Sequence, residues 1–182
     1  MSVMLIAKRQ AVDSPFTVLV DQQEGKPYSF SGLFADADRG NLPLIVPTRT
    51  THLRTGDYTI DGYADLVCVE RKTFADFCGS FGGDRVRELK KLVRMSKMLV
   101  AWYVLEFSFS ALCGPQPPFS RVNMKSLRRS LMSFTVKYPH VNWLFCDCRE
   151  YAEATTYRLL EKWWGEMVVR PAKASKRQVS DK

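Results

Sequence analysis

Gly56-Asp57-Tyr58-Thr59-Ile60, then after six residues Val67-Cys68-Val69-Glu70-Arg71-Lys72 and shortly Asp76, sets two acids and a lysine on neighbouring β-prone runs around which the rest of the chain is organised. Val67-Cys68-Val69 is short, apolar and β-prone, a buried strand that runs directly into Glu70-Arg71-Lys72. Side chains two apart on a strand share a face. Glu70 and Lys72 are therefore predicted to point the same way, about 6.5 Å apart along the backbone, with Arg71 on the other side beside Val67 and Val69. A carboxylate and an ammonium fixed together at a strand end suit a shared divalent metal, phosphate and water.

Asp57 opens the preceding strand, Tyr58 to Ile60, and Asp61-Gly62 is a turn signal. A tight two-residue turn would set Asp57 opposite Leu66 and leave Glu70 about 13 Å farther along. A wider connection, Asp61 to Leu66, would pair Ile60 with Val67 and bring Asp57 opposite Glu70. Only the wider one lets both acids reach one metal.

Towards the N-terminus, Phe16 to Asp21 is a strongly β-like strand. Asp21 comes near Asp57 and Glu70 if the strands share a sheet; otherwise it caps the turn from Gln22 to Pro27. Residues 25–41 read as loop or as a short helix around Ser31 to Ala37, and Leu42 to Val46 as a strand ended by Pro47. Thr48 to Thr55 carries Arg49, His52 and Arg54 near the site. His52 titrates near ~6.5 when unperturbed, although a lone loop histidine is more often merely exposed.

Towards the C-terminus, Phe74, Phe77, Cys78 and Phe81 recur with helical spacing, and Asp76 falls on that helix. Asp76 either orients Lys72 or Arg71 or is an exposed acid. Gly79 to Gly83 is expected to interrupt the helix with a turn, and Asp84 to cap the next one, which runs to about Leu99. Val86, Leu89, Leu92, Val93 and Leu99 form its apolar stripe; Arg85, Arg87, Lys90, Lys91, Arg94 and Lys97 stand against the single acid Glu88. That imbalance is read as a phosphate-facing surface, with Arg85 its first candidate contact. A core strand from Ala101 to Phe107 with Glu106 near its end, a Pro-rich loop, a helix from Arg121 to Tyr138, a strand from Asn142 to Phe145 and a helix from Glu150 to Trp164 complete the chain. Tyr151, Leu160, Trp163 and Trp164 make the last helix either a packing element or a subunit interface, where aromatic residues are enriched.

A chain of 182 residues suits one domain with a sizeable core. It has no apolar run near the ~20 residues of a membrane span, and Val3 to Ala7 is too short for a signal-peptide core. The expected location is the cytoplasm or nucleoid, or the nucleus in a eukaryote. Five cysteines without a secretion signal read as free thiols. Cys146-Asp147-Cys148, with only His52 and His140 elsewhere, does not complete a zinc site. A formal charge of +8 points to a polyanionic partner, nucleic acid first, or else to a solubilising surface.

Gly56-Asp57-Tyr58 with Glu70-Arg71-Lys72, three residues and Asp76 resembles the nuclease domain of the XPF family of structure-specific endonucleases, within the restriction-endonuclease-like superfamily of Asp…Glu-X-Lys nucleases. Val18-Leu19-Val20-Asp21 and Glu24 are similar to that family's first strand and acidic pair, Phe77 to Ser80 to the segment after its motif, Arg85 to its helix-opening arginine, and Trp102 to Glu106 to its next core strand. Gln23 departs from the family's arginine at that position. The loop between Asp57 and Glu70 is longer than the pattern, and no tandem helix-hairpin-helix module follows.

The resemblance implies an α/β fold, a central mixed sheet flanked by helices, over residues 16–165; by composition, residues 1–15 read as a loose lead-in and the basic, apolar-poor residues 166–182 as a disordered tail. It implies a Mg²⁺- or Mn²⁺-dependent DNA endonuclease of repair or recombination, acting on flaps, forks or junctions. Catalytic residues would be Asp57, Glu70, Lys72, Arg71, Asp76 and Asp21, with Asp57, Glu70, Asp21 and Glu24 on metal and Arg85, Arg87, Lys90, Lys91 and Arg94 on DNA. It also implies a homodimer, or a heterodimer with a related subunit, through the C-terminal helices. An inactive DNA-binding or scaffolding subunit is the alternative, and an RNA-binding or host-interaction protein reusing the basic helix is a third class.

Overall fold

The computed structural model describes residues 10–36, 40–118 and 121–172. Its centre is the β5 strand Tyr58–Ile60 and the β6 strand Val67–Lys72, antiparallel, with Tyr58 opposite Val69. Extending that register by one residue sets Asp57 opposite Glu70. The wider connection is the one adopted: Tyr63 N–H donates to the Ile60 carbonyl at 2.9 Å and Leu66 N–H to the Tyr63 carbonyl at 2.9 Å.

The sheet has six strands in the order β4-β2-β5-β6-β7-β8, with β2 at Val18–Asp21, β4 at Thr48–Thr51, β7 at Val100–Leu105 and β8 at Val141–Phe145. The β2–β5 and β5–β6 pairs are antiparallel; β2–β4, β6–β7 and β7–β8 are parallel. This is the predicted α/β architecture, a mixed sheet between helices. Thr48–Thr51 is an edge strand here, where the sequence suggested loop: its alternation is polar throughout because it lies outermost and pairs only with β2. Part of the expected loose lead-in is also ordered, since β1 (Val12–Asp13) pairs with β3 (Leu44–Ile45). Residues 1–9 lie outside the described residues. No helix forms over the described part of the Ser31 to Ala37 segment, and Ala37 itself is outside it.

Side-chain alternation along β6 sorts the core into two. Cys68 faces Phe77, Phe81, Leu92, Tyr103 and Phe134, under α1 (Phe74–Cys78), α2 (Arg85–Met95), α3 (Phe109–Cys113) and α4 (Met124–Lys137). Val67 and Val69 face Tyr58, Ile60, Tyr157, Leu160 and Trp163, under α5 (Arg149–Trp164). The aromatic excess of α5 is absorbed there: Trp163 and Trp164 contact Tyr63 at 5.2 and 5.6 Å, and Tyr157 stacks on Phe16 at 5.7 Å. Intrachain packing thus accounts for the feature that suggested a dimer interface; Tyr151 alone of that group is largely exposed. Beyond Trp164 the backbone continues as a π-helical turn, Gly165–Val169, past the point where the tail was expected to become irregular.

Two local expectations fail on the α2 side. Gly79–Gly83 continues α1 as a π-helical turn, and Asp84 makes no side-chain cap, pairing instead with Arg87 at 3.6 Å. Helix α2 also buries only part of its predicted apolar stripe, Leu92 and in part Leu89. Val86, Val93 and the more distant Leu99 are exposed, while Glu88, Leu92 and Met95 are buried. The inward face carries two charges, Glu88 and Lys91, because their partners wait on β6. Among the described residues no helix is long and apolar enough to cross a membrane.

Candidate active site

Gly56 starts the site. Its φ of +80° and its closeness to β6, where an added Cβ would stand 2.7 Å from the Cys68 Cβ, require glycine. That approach lets Asp57 N–H reach the Val69 carbonyl at 2.8 Å and the Asp57 carboxylate Oδ2 accept from Arg71 N–H at 2.7 Å. On β2, Asp21 N–H donates to the Asp57 carbonyl at 2.8 Å. Strands β2, β5 and β6 thereby bring Asp21, Asp57 and Glu70 to the wall of one cleft of about 630 Å³, opposite Arg87, Lys90, Lys91 and Arg94 of α2.

The residues on the α2 side of β6 form a chain of charges. Glu70 is 2% exposed. Its Oε1 meets the Lys91 ammonium and lies 3.4 Å from Lys72 Nζ. Lys72 Nζ lies in turn 3.4 Å from Glu88 Oε2 and donates to Ser80 Oγ at 3.1 Å. Tyr103 O–H donates to Glu88 Oε1 at 2.6 Å. Burial, together with the Glu70 and Glu88 charges, pushes the Tyr103 phenol well up, so it remains a donor. Burial alone would lower the Lys91 ammonium, but Glu70 and Glu88 outweigh it and hold it above its ordinary value. Burial, then the Glu70 charge, pushes the Asp57 carboxyl well above the carboxylate range.

Asp57 and Glu70 are therefore like charges held together at some cost, which is the condition a cation relieves. Among the described residues no group of three or more His, Cys, Asp and Glu side chains is gathered as a metal cage. One or two carboxylates completed by substrate phosphate and water is the usual Mg²⁺ arrangement, and hard oxygen donors suit Mn²⁺ as well. The donor set fits such an ion at Asp57 and Glu70.

Other predicted site residues are placed differently. Asp21 lines the cleft, but its Oδ1 accepts from Leu53 N–H at 3.1 Å and lies 4.0 Å from His52. Glu24 accepts from Lys26 N–H at 2.7 Å and pairs with Arg71 at 3.3 Å. Neither carboxylate joins Asp57 and Glu70 in a common cluster. The Arg71 side chain turns to the α5 side, where Glu106 takes Nε at 2.7 Å and Nη2 at 2.8 Å. Tyr28 O–H at 2.9 Å and Arg149 at 3.4 Å hold the same carboxylate. Only the Arg71 backbone reaches Asp57. Asp76 orients neither Lys72 nor Arg71: it accepts from Thr73 Oγ1 at 2.6 Å while its own N–H donates back to that hydroxyl, capping α1. Arg85 does not line the cleft; it donates to Ser130 Oγ at 3.0 Å and lies over the Phe134 ring at 5.3 Å. His52 stands exposed at the turn after β4.

Glu88, Ser80, Tyr103 and Glu106 belong to the site's support and carried no sequence assignment. Glu88 left one signal: it is the only acid within α2, three residues before Lys91. All five cysteines are free, and Cys146 and Cys148 only connect β8 to α5.

A protein-family model described as the ERCC4 domain matches residues 20–159. Among solved structures, XPF from Aeropyrum pernix aligns with a TM-score of 0.54 and 21% identity over 85% of this chain and 68% of its own. The same protein in complex with DNA aligns with a TM-score of 0.53 and 19% identity over 86% of this chain and 66% of its own. This chain thus spans about two thirds of the length of each. No curated protein sequence matches it. The family match begins in the strand that carries Asp21, takes in the whole cleft and ends within the helix that closes the second core, and the solved folds agree with it: the chain belongs to the ERCC4 domain family, the XPF-type nuclease domains.

Proposed function

We propose that the chain is a divalent-metal-dependent DNA endonuclease that hydrolyses phosphodiester bonds, with flaps, forks or junctions as its substrate class. The observation that carries this reading is the register of β5 on β6, which sets Asp57 opposite Glu70, with Lys72 on the same face as Glu70, in a cleft walled by α2 cations. ERCC4 domains typically cut DNA with a divalent metal, and the XPF relative was solved with DNA. A bound Mg²⁺ or Mn²⁺ supplies charge against the phosphate and a more acidic water. Asp57 and Glu70 would hold it. Lys72, which lies 3.4 Å from both Glu70 and Glu88, would donate to a phosphate oxygen. Arg71 is a positioning residue, since Glu106 on one side and its own backbone N–H to Asp57 on the other fix the end of β6. Arg87, Lys90 and Arg94 would track the backbone phosphates.

The test is incubation of labelled duplex, single-stranded, flap and four-way-junction DNA with Mg²⁺, Mn²⁺ or EDTA. Metal-dependent cleavage lost in Asp57→Ala and Glu70→Gln supports the reading, and the substrate ranking assigns the class. DNA binding without cleavage in either metal overturns it. That outcome favours the second reading, a catalytically inactive DNA-binding subunit, which has its own observation: an ammonium, Lys91, already neutralises Glu70.

A further inference from the structure

Helix α2 and strand β6 clasp each other by crossed charges. Glu88 and Lys91 are one helical turn apart on the inward face of α2, and Glu70 and Lys72 are two residues apart on the facing side of β6. Lys91 meets Glu70, Glu88 meets Lys72 at 3.4 Å, and Lys72 closes the chain to Glu70 at 3.4 Å. Three of the four are more deeply buried than the fourth. Glu70 and Glu88 are 3% and 4% exposed at the side chain, and Lys72, at 10%, has Ser80 as a further partner. Lys91 is the most exposed at 19%, and it borders the cleft beside Arg87, Lys90 and Arg94.

Lys91 thus contacts an oxygen of the same carboxylate that the divalent ion would use. An ammonium in contact with that oxygen repels a doubly charged ion there, so the two compete for Glu70. The other charged residues of α2 that line the cleft, Arg87, Lys90 and Arg94, are all cations, so an ammonium released from Glu70 joins a basic side of the cleft where a polyanion is favourable company.

We propose that Lys91 is a displaceable counter-cation: it neutralises Glu70 in the metal-free protein, and the divalent ion releases it to bind a DNA phosphate. Metal loading and DNA binding are then coupled through one side chain, and by linkage each strengthens the other. The inference rests on the assignment of the metal to Asp57 and Glu70.

Two measurements on the full chain without DNA test it. First, Mn²⁺ affinity is measured by calorimetry for the wild type, Lys91→Gln, Lys91→Arg and Glu70→Gln. Lys91→Gln should bind Mn²⁺ about fivefold or more tightly than the wild type, and Lys91→Arg, which keeps the competing charge, should stay close to the wild type. Second, acetylation of wild-type Lys91 by an amine-reactive ester is followed by mass spectrometry with Lys90 as the internal reference, which needs no variant to fold. Mn²⁺ should raise the Lys91 rate relative to Lys90. An unchanged Lys91 rate, or an unchanged affinity in Lys91→Gln while Glu70→Gln loses Mn²⁺, overturns the counter-cation and leaves the metal assignment standing. Wild-type Mn²⁺ affinity in Glu70→Gln overturns the metal assignment itself, and the counter-cation with it.

Discussion

Asp57 is held where its negative charge is poorly tolerated, a cost that suits the metal-binding role proposed for it. Its carboxyl is raised above the unfolded value, so the folded state binds the proton more strongly. The stability it contributes is greatest at low pH and declines as pH rises from the ordinary carboxylate range through the raised folded value. In metal-free protein at pH 7 to 8, Asp57→Asn removes that penalty and keeps an oxygen for the Arg71 N–H. Its expected effect is a gain of roughly 1 kcal/mol, a rise of about 2–4 °C in thermal midpoint, together with loss of metal-dependent cleavage. A melting curve in EDTA checks the first part. A gain in stability with a loss of activity is the mark of a site that trades one for the other. Glu106 is the opposite kind of residue. It sits 8% exposed against an equally buried Arg71 side chain, so Glu106→Ala leaves a buried guanidinium with Glu24 alone as its ion-pair partner. The expected destabilisation is about 3 kcal/mol or more, measured by urea unfolding; a change near zero would show that Glu24 alone can satisfy Arg71.

At the scale of the element, α2 decides how the site is built. A helix usually buries its apolar stripe, yet here Glu88 and Lys91 share the inward face with Leu92 and Met95, and Val86 is left 68% exposed. The two hydrophobic positions should therefore differ sharply. Leu92→Ala should cost about 2–5 kcal/mol, and Val86→Ala should stay within about 0.5 kcal/mol. Equal costs for the two in denaturant melts would mean that the helix follows its apolar stripe and that Glu88 does not reach Lys72. Strands β5 and β6 were easier to read, because the chemistry required one register and that register fixed the connection from Asp61 to Leu66.

At the scale of the whole molecule, the charge of +8 becomes meaningful only through its distribution. Arg87, Lys90 and Arg94 lie along one side of the cleft, and the acids Asp21, Asp57 and Glu70 along the other. If these cations track phosphates, each replacement by Ala should weaken binding of a short duplex evenly across sequences. Each should also reduce the slope of log affinity against log salt by about 1. Arg85→Ala serves as the contrast. Its guanidinium is spent on Ser130 and Phe134, so it should lose stability and leave the salt slope unchanged.

From the sequence alone came the strands of the site, the shared face of Glu70 and Lys72 and the family resemblance, with the opposition of Asp57 and Glu70 conditional on the wider connection that the structure then showed. Those features follow from backbone alternation and from a motif whose spacing is local. Only the tertiary structure decided which charges serve the cleft and which serve the scaffold. Arg71 and Arg85 are the right residue types near the right place, but each is bound by a partner distant in sequence, and Asp76 is taken by the local cap with Thr73. Glu106 lies 35 residues from the Arg71 it grips, and Glu88 and Lys91 reach β6 only because helix and strand are packed face to face. Apolar periodicity placed Leu92 in the core but also put Val86 and Val93 inward in place of Glu88 and Lys91, for the same reason: a hydrophobic pattern has no way to register a buried charge whose partner lies on another element.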